Sequence, residues 1–178
     1  MKHLLLVISL ASLANITFGQ ENIGLIQGGY SVGNRSNGTQ PTGYKINAAW
    51  EFQPMGDKWT MGGSIGWVKL SMTENNGSFS LSSLPICFVS RYMFGGEKFK
   101  AFVRGGLGTH VSTISYSGTL VAPSDQQWGM SGSLGGGAMF WMSEKMFLSA
   151  EYEWLWLSNA FANTGSIGTA SAGFGFRF

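Results

Sequence analysis

The chain has 178 residues, 44% hydrophobic and only 11% charged, with 27 Gly, 13 Phe, 7 Trp and 5 Tyr. That is too much glycine for a helical protein and too much aromatic for a disordered one, and it points to one compact all-β domain. The net charge of +2 comes from Lys and Arg scattered singly in apolar context, which excludes the basic stripe a nucleic-acid surface needs.

The N-terminus carries one lysine, an apolar run from Leu4 to about Ala14, then Thr17 and Gly19 ahead of Gln20. This is the pattern of a secretory signal, with residues 1–19 removed and 20–178 forming the mature domain. The run is too short to cross a bilayer as a helix, which takes about 20 apolar residues, and no other stretch is long and apolar enough. No Cys lies near the cleavage point to carry a lipid anchor. Any membrane crossing is therefore made by strands.

From Ile23 onward one unit repeats: ten or so residues alternating apolar with small or polar, then a turn-forming cluster. Eight such units fall at 23–33, 43–53, 58–70, 79–93, 99–111, 127–141, 146–157 and 166–178. The connections Pro54–Asp57, Phe94–Lys98 and Met142–Lys145 are tight. Those around 34–40, 73–78, 112–126 and 158–165 are mostly longer and rich in Ser, Asn, Gly and Thr. Short and long alternate, as in an eight-stranded antiparallel up-and-down transmembrane β-barrel with tight turns at one end and loops at the other. An even strand count then places both termini on the periplasmic side.

The two faces of each unit differ. Tyr44, Ile46, Ala48, Trp50 and Phe52 oppose Lys45, Asn47, Ala49 and Glu51; Leu148, Ala150, Tyr152, Trp154 and Trp156 oppose Ser149, Glu151 and Glu153. An eight-stranded interior accepts only a modest set of side chains, so the small and polar set belongs inside and the aromatic face in lipid. Trp50, Phe52, Trp59, Phe94, Phe140 and Phe178 form one expected girdle, and Tyr30, Tyr44, Trp67, Trp128 and Trp156 the other. Cys87, the single cysteine, reads as a buried or lipid-facing apolar thiol.

The last unit ends Ala172-Gly173-Phe174-Gly175-Phe176-Arg177-Phe178, with three phenylalanines on one face and an aromatic final residue. This resembles the C-terminal strand signal of bacterial outer-membrane barrels. With the secretory signal and the eightfold pattern, the chain resembles the small outer-membrane β-barrel superfamily, which contains the eight-stranded X type, the A-type membrane domain and the opacity type. The resemblance covers the mature chain. It implies a bacterial outer-membrane location, contact with outer-membrane lipid and lipopolysaccharide, and recognition of Phe174, Phe176 and Phe178 by the barrel assembly machinery. The loops match no family.

The face assignment sends Lys45, Glu51, Arg91, Lys100, Arg104, Glu151, Glu153 and Arg177 into the lumen, five positive charges and three negative. Isolated charges there are costly, so a paired network is expected, with Arg104 reaching Glu151 across the small residues of the sixth strand. Glu51 is expected near Arg91, Lys100 and Arg177.

Candidates for catalysis are few. An acyl-transfer nucleophile needs a base within reach, and the mature chain has one histidine, His110, beside Thr109, Ser112 and Thr113. The stretch Trp156-Leu157-Ser158-Asn159-Ala160 resembles the His-x-Ser-Asn stretch of outer-membrane lipid A deacylases, but Trp156 stands at the histidine position, which leaves Ser158 without a neighbouring base in the sequence. The palmitoyltransferase type has no match. No phosphate loop, metal cluster or cofactor motif is present in the sequence, and Gly132, Gly135, Gly136 and Gly137 sit at strand spacing, where they allow curvature and close approach.

The sequence thus leads to the expectation of a non-enzymatic outer-membrane barrel with a structural or surface-interaction role through its external loops. The segment 112–126, with Tyr116 and Asp125, is the expected place for an extracellular ligand. A narrow porin-like channel for small solutes and a lipid A-modifying enzyme are the alternatives.

Overall fold

The computed structural model describes residues 21–34, 39–74, 77–118, 125–158 and 166–178; the expected signal segment lies outside them. Eight strands follow one another: β1 (Asn22–Gly33), β2 (Thr42–Met55), β3 (Trp59–Glu74), β4 (Gly77–Gly95), β5 (Phe99–Gly118), β6 (Asp125–Trp141), β7 (Met146–Leu157) and β8 (Ser166–Arg177). Each pairs antiparallel with its neighbours in sequence, and β8 returns to β1 to close the ring. The seam runs from Ile23 opposite Arg177 to Gly33 opposite Ile167, and Asn22 and Phe178 exchange backbone hydrogen bonds of 2.9 and 3.0 Å at its foot. Closure satisfies every edge, which is the condition for a sheet to cross a bilayer.

The turns follow their local chemistry. Gly56 (φ +62°) opens a single 3-10 turn between β2 and β3, and Gly95 (φ +128°) ends β4 in a backbone region closed to most L side chains. At the opposite end the strands run further than the turn-forming residues suggested. Thr73 pairs with Ser78, so the expected loop there is strand on both sides of residues 75–76. Likewise β5 continues to Gly118 and Ile114 pairs with Asp125, which places Tyr116 and Asp125 in strands; of the expected long loop only residues 119–124 lie outside the described residues. Ser and Thr read as turn residues in isolation, yet they serve as strand residues once a partner ladder is present.

Side chains alternate as a wall with two faces. In β7 exposed and buried positions alternate without a break from Met146 to Leu157. All members of both expected aromatic girdles are at least partly exposed on the outer surface. Cys87 is buried instead, its sulfur 3.3 Å from the Ser131 hydroxyl.

The interior is more apolar than the sequence suggested. Near the long-loop end Val68, Leu70, Phe79, Leu81, Ile114, Leu155, Leu157 and Ile167 form one buried cluster. Near the tight-turn end Ile23, Leu25, Ala49, Met93, Phe102, Met139, Trp141 and Phe147 form another. Among the described residues, four aromatic side chains of these clusters therefore point inward, contrary to the expectation that this class faces lipid. Glycines make the room: a Cβ on Gly175 would stand 2.2 Å from the Phe147 ring, and one on Gly137 would stand 2.8 Å from that of Phe102.

Candidate functional site

Between the two apolar layers lies a belt of buried charge. Arg91, on β4, is fully buried and places Nη2 2.9 Å from Glu51 Oε1 on β2, with its guanidinium 4.6 Å from the centre of the Phe102 ring. The Thr60 hydroxyl on β3 donates to the other oxygen of Glu51. Arg104, on β5, reaches over β6 to Glu151 on β7 at 3.1 Å and lies 3.8 Å from Glu153. Lys45, on β2, pairs with Glu153 from the opposite side of the lumen. The amide of Gln27 on β1 donates to Glu151 at 3.2 Å.

The six charges form a balanced set of three cations and three carboxylates. Arg91 and Arg104 are cross-strand partners, an arrangement of like charges that is unfavourable by itself. Each arginine is neutralised by carboxylates carried on other strands, so the belt holds together only across the closed ring. Buried ions of this kind need partners on all sides, because desolvation of each one costs several kcal/mol.

Lys100 and Arg177 stand apart from the belt. Both lie over the Trp141 ring, at 5.8 and 4.3 Å from its centre, and Arg177 pairs with Glu21 at 3.1 Å. The apolar layer around Trp141 and Phe147 separates them from Glu51, so the expected grouping with Arg91 does not form. They line a mixed-charge basin at the tight-turn mouth of the barrel with Lys98, Lys145 and Glu144.

The remaining sequence candidates fall elsewhere. Phe174 and Phe176 face outward, edge to face with ring centres 5.5 Å apart, and Phe178 is exposed beside them. Thr109 and Thr113 face outward, and the Ser112 hydroxyl donates to Ser83 inside the barrel. His110 is buried and meets a different hydroxyl. Its ring and the Ser158 side chain converge on Gly129, a juxtaposition of β5, β6 and the end of β7 that the sequence does not display.

A closed ring of eight antiparallel strands, apolar outside and charge-paired within, defines a transmembrane β-barrel. The family model for the outer membrane protein beta-barrel domain matches residues 3–178, and the chain belongs to that family, whose place is the bacterial outer membrane. Among solved structures, the barrel is similar to Neisserial surface protein A (TM-score 0.67, 13% identity, covering 88% of this chain and 97% of that one). It is also similar to Ail, the attachment invasion locus protein of Yersinia pestis (0.56, 17%, 89% and 98%), and to the outer membrane enzyme PagL (0.53, 15%, 86% and 97%). At these identities the likeness is one of fold, and that fold carries both surface proteins and an enzyme. Among curated proteins no sequence match is found.

Proposed function

We propose that the protein is a sealed scaffold that presents short external loops for interaction at the cell surface. The observation that carries this reading is the layered interior. An apolar layer lies on each side of a charge-balanced belt, and a water-filled path would have to breach all three. The tight turns and both termini then face the periplasm and the longer connections face outward, with lipid and lipopolysaccharide around the wall. The barrel assembly machinery reads Phe174, Phe176 and Phe178 during insertion.

Loop composition narrows the partner. Residues 34–40, 75–76, 119–124 and 158–165 contain a single charged side chain, Arg35, among Ser, Asn, Thr, Gly and a few apolar residues. Such loops favour a partner held by neutral hydrogen bonds and apolar contact. The heparin analogue sucrose octasulfate, found with Ail, is a polyanion and has little here to meet it.

Single-channel recording of the refolded protein in planar bilayers tests the seal. Silence at moderate voltage is expected. A steady, ion-selective current would mean the apolar layers do not close the lumen, and transport of small solutes would become the leading function.

A further inference from the structure

The Ser158 hydroxyl and the His110 ring have no counterpart in the scaffold role. His110 is 1% exposed, and among the described residues neither ring nitrogen has a hydrogen-bond partner of good geometry. The backbone groups of Met130 and Ser158 nonetheless lie within hydrogen-bonding reach of the ring and hold it in place.

Gly129 stands between the two groups. A Cβ there would lie 2.6 Å from His110 Cε1 and 2.6 Å from Ser158 Oγ, so only glycine lets the two groups approach each other this closely. Both distances are taken from one point, so the ring carbon and the hydroxyl are at most about 5 Å apart, a separation that catalytic pairs in unliganded sites can show before they tighten on substrate. Ser158 Oγ is itself fixed, accepting a 2.7 Å hydrogen bond from the Met130 backbone N–H.

The hydroxyl also opens onto a groove in the outer wall. Leu107, Met130, Gly132, Trp156, Ser158 and Ser166 line a furrow of about 430 Å³, which presents mostly apolar surface. Leu107 and Met130 are among the most exposed apolar side chains of the barrel, at 74% and 72%. Such a furrow suits an alkyl chain, with Ser158 on its lining.

We infer that Ser158 and His110 form a nucleophile and base for hydrolysing the acyl ester of a membrane lipid whose chain occupies this groove. Ser158 Oγ attacks the ester carbonyl, forming the O–C bond, and its proton passes to a His110 ring nitrogen. That proton goes to the departing alkoxide as the ester C–O bond breaks, releasing an alcohol. Water then attacks the acyl-serine carbonyl, loses a proton to His110, and the serine leaves reprotonated beside a free fatty acid. The net reaction is ester plus water to acid plus alcohol.

The test is covalent labelling of the refolded full chain in detergent micelles with an alkyl fluorophosphonate, mapped by mass spectrometry, alongside hydrolysis of p-nitrophenyl palmitate. The adduct is expected on Ser158, absent in Ser158→Ala and at least tenfold slower to form in His110→Gln. Thr113→Ala, an outward neighbour with no part in the pair, should label as wild type does. Heat-modifiable migration on gels confirms that each variant is folded, and His110→Asn replaces His110→Gln if the latter is not. Wild-type labelling no greater than that of Ser158→Ala overturns the inference, as does labelling whose rate is unchanged without His110. Neither result bears on the seal, which the bilayer recording reads separately.

Discussion

Arg104 on β5 and Glu151 on β7 meet at 3.1 Å although β6 lies between their strands. The contact passes over Gly135, where a Cβ would stand 3.0 Å from Glu151 Oε1. Removing either partner leaves a buried charge behind, so Arg104→Ala and Glu151→Ala should each lower unfolding stability by about 3–5 kcal/mol. The double Arg104→Ala/Glu151→Ala change should lose less than the sum of the two, and urea unfolding of the four proteins in micelles gives the coupling directly.

Gly137 tests the fit between glycine and inward aromatic. A methyl there would stand 2.1 Å from the Ala150 carbonyl and 2.8 Å from the Phe102 ring. Gly137→Ala should cost about 1–3 kcal/mol through overpacking. Pairing it with Phe102→Leu should recover part of the ring's share, read as a shift in urea midpoint, while the strain against the backbone carbonyl remains.

Phe147 is fully buried with its ring 4.7 Å from that of Trp141, in the layer that closes the tight-turn end. Truncation to alanine should cost about 3–5 kcal/mol. Because the charge belt and the other apolar layer stay in place, bilayer recordings of the folded fraction should remain silent.

On the outer wall the solvent is lipid, and charge is penalised by depth. Phe88 is 58% exposed near the middle of β4. Phe88→Arg should destabilise the folded barrel by about 2–4 kcal/mol in bilayers, whereas Tyr30→Arg, in the girdle near the long-loop end, should cost about 1 kcal/mol or less. Reversible unfolding from vesicles separates the two.

Phe178 contributes an exposed ring and, through its backbone, the last bonds of the closing seam. Phe178→Ala keeps those bonds. Refolding yield in micelles should therefore change little, while the amount of folded barrel in cells falls several-fold. An equal loss in both settings would assign the residue to stability instead of assembly.

The strand count, the pairing order and the outward set of side chains were legible along the chain, because alternation with a period of two is a local signal repeated eight times. Arg104 and Glu151 were legible as a pair because their depths could be counted from neighbouring turns. Arg177 was misplaced by the same counting. It shares a face with the belt residues, but the inward Trp141 and Phe147 fill the level between them. Inward aromatics carry no signal of their own in the alternation, since their depressions are formed by glycines on other strands.

What the sequence by itself determined is therefore the wall: eight amphipathic strands, an apolar outside and a closed antiparallel order. What only the tertiary structure decided is the contact made across the lumen, such as Lys45 with Glu153 or Arg91 with Glu51. Strand register within a ladder follows from local pairing, but who meets whom across a barrel depends on the tilt and stagger accumulated around the whole ring.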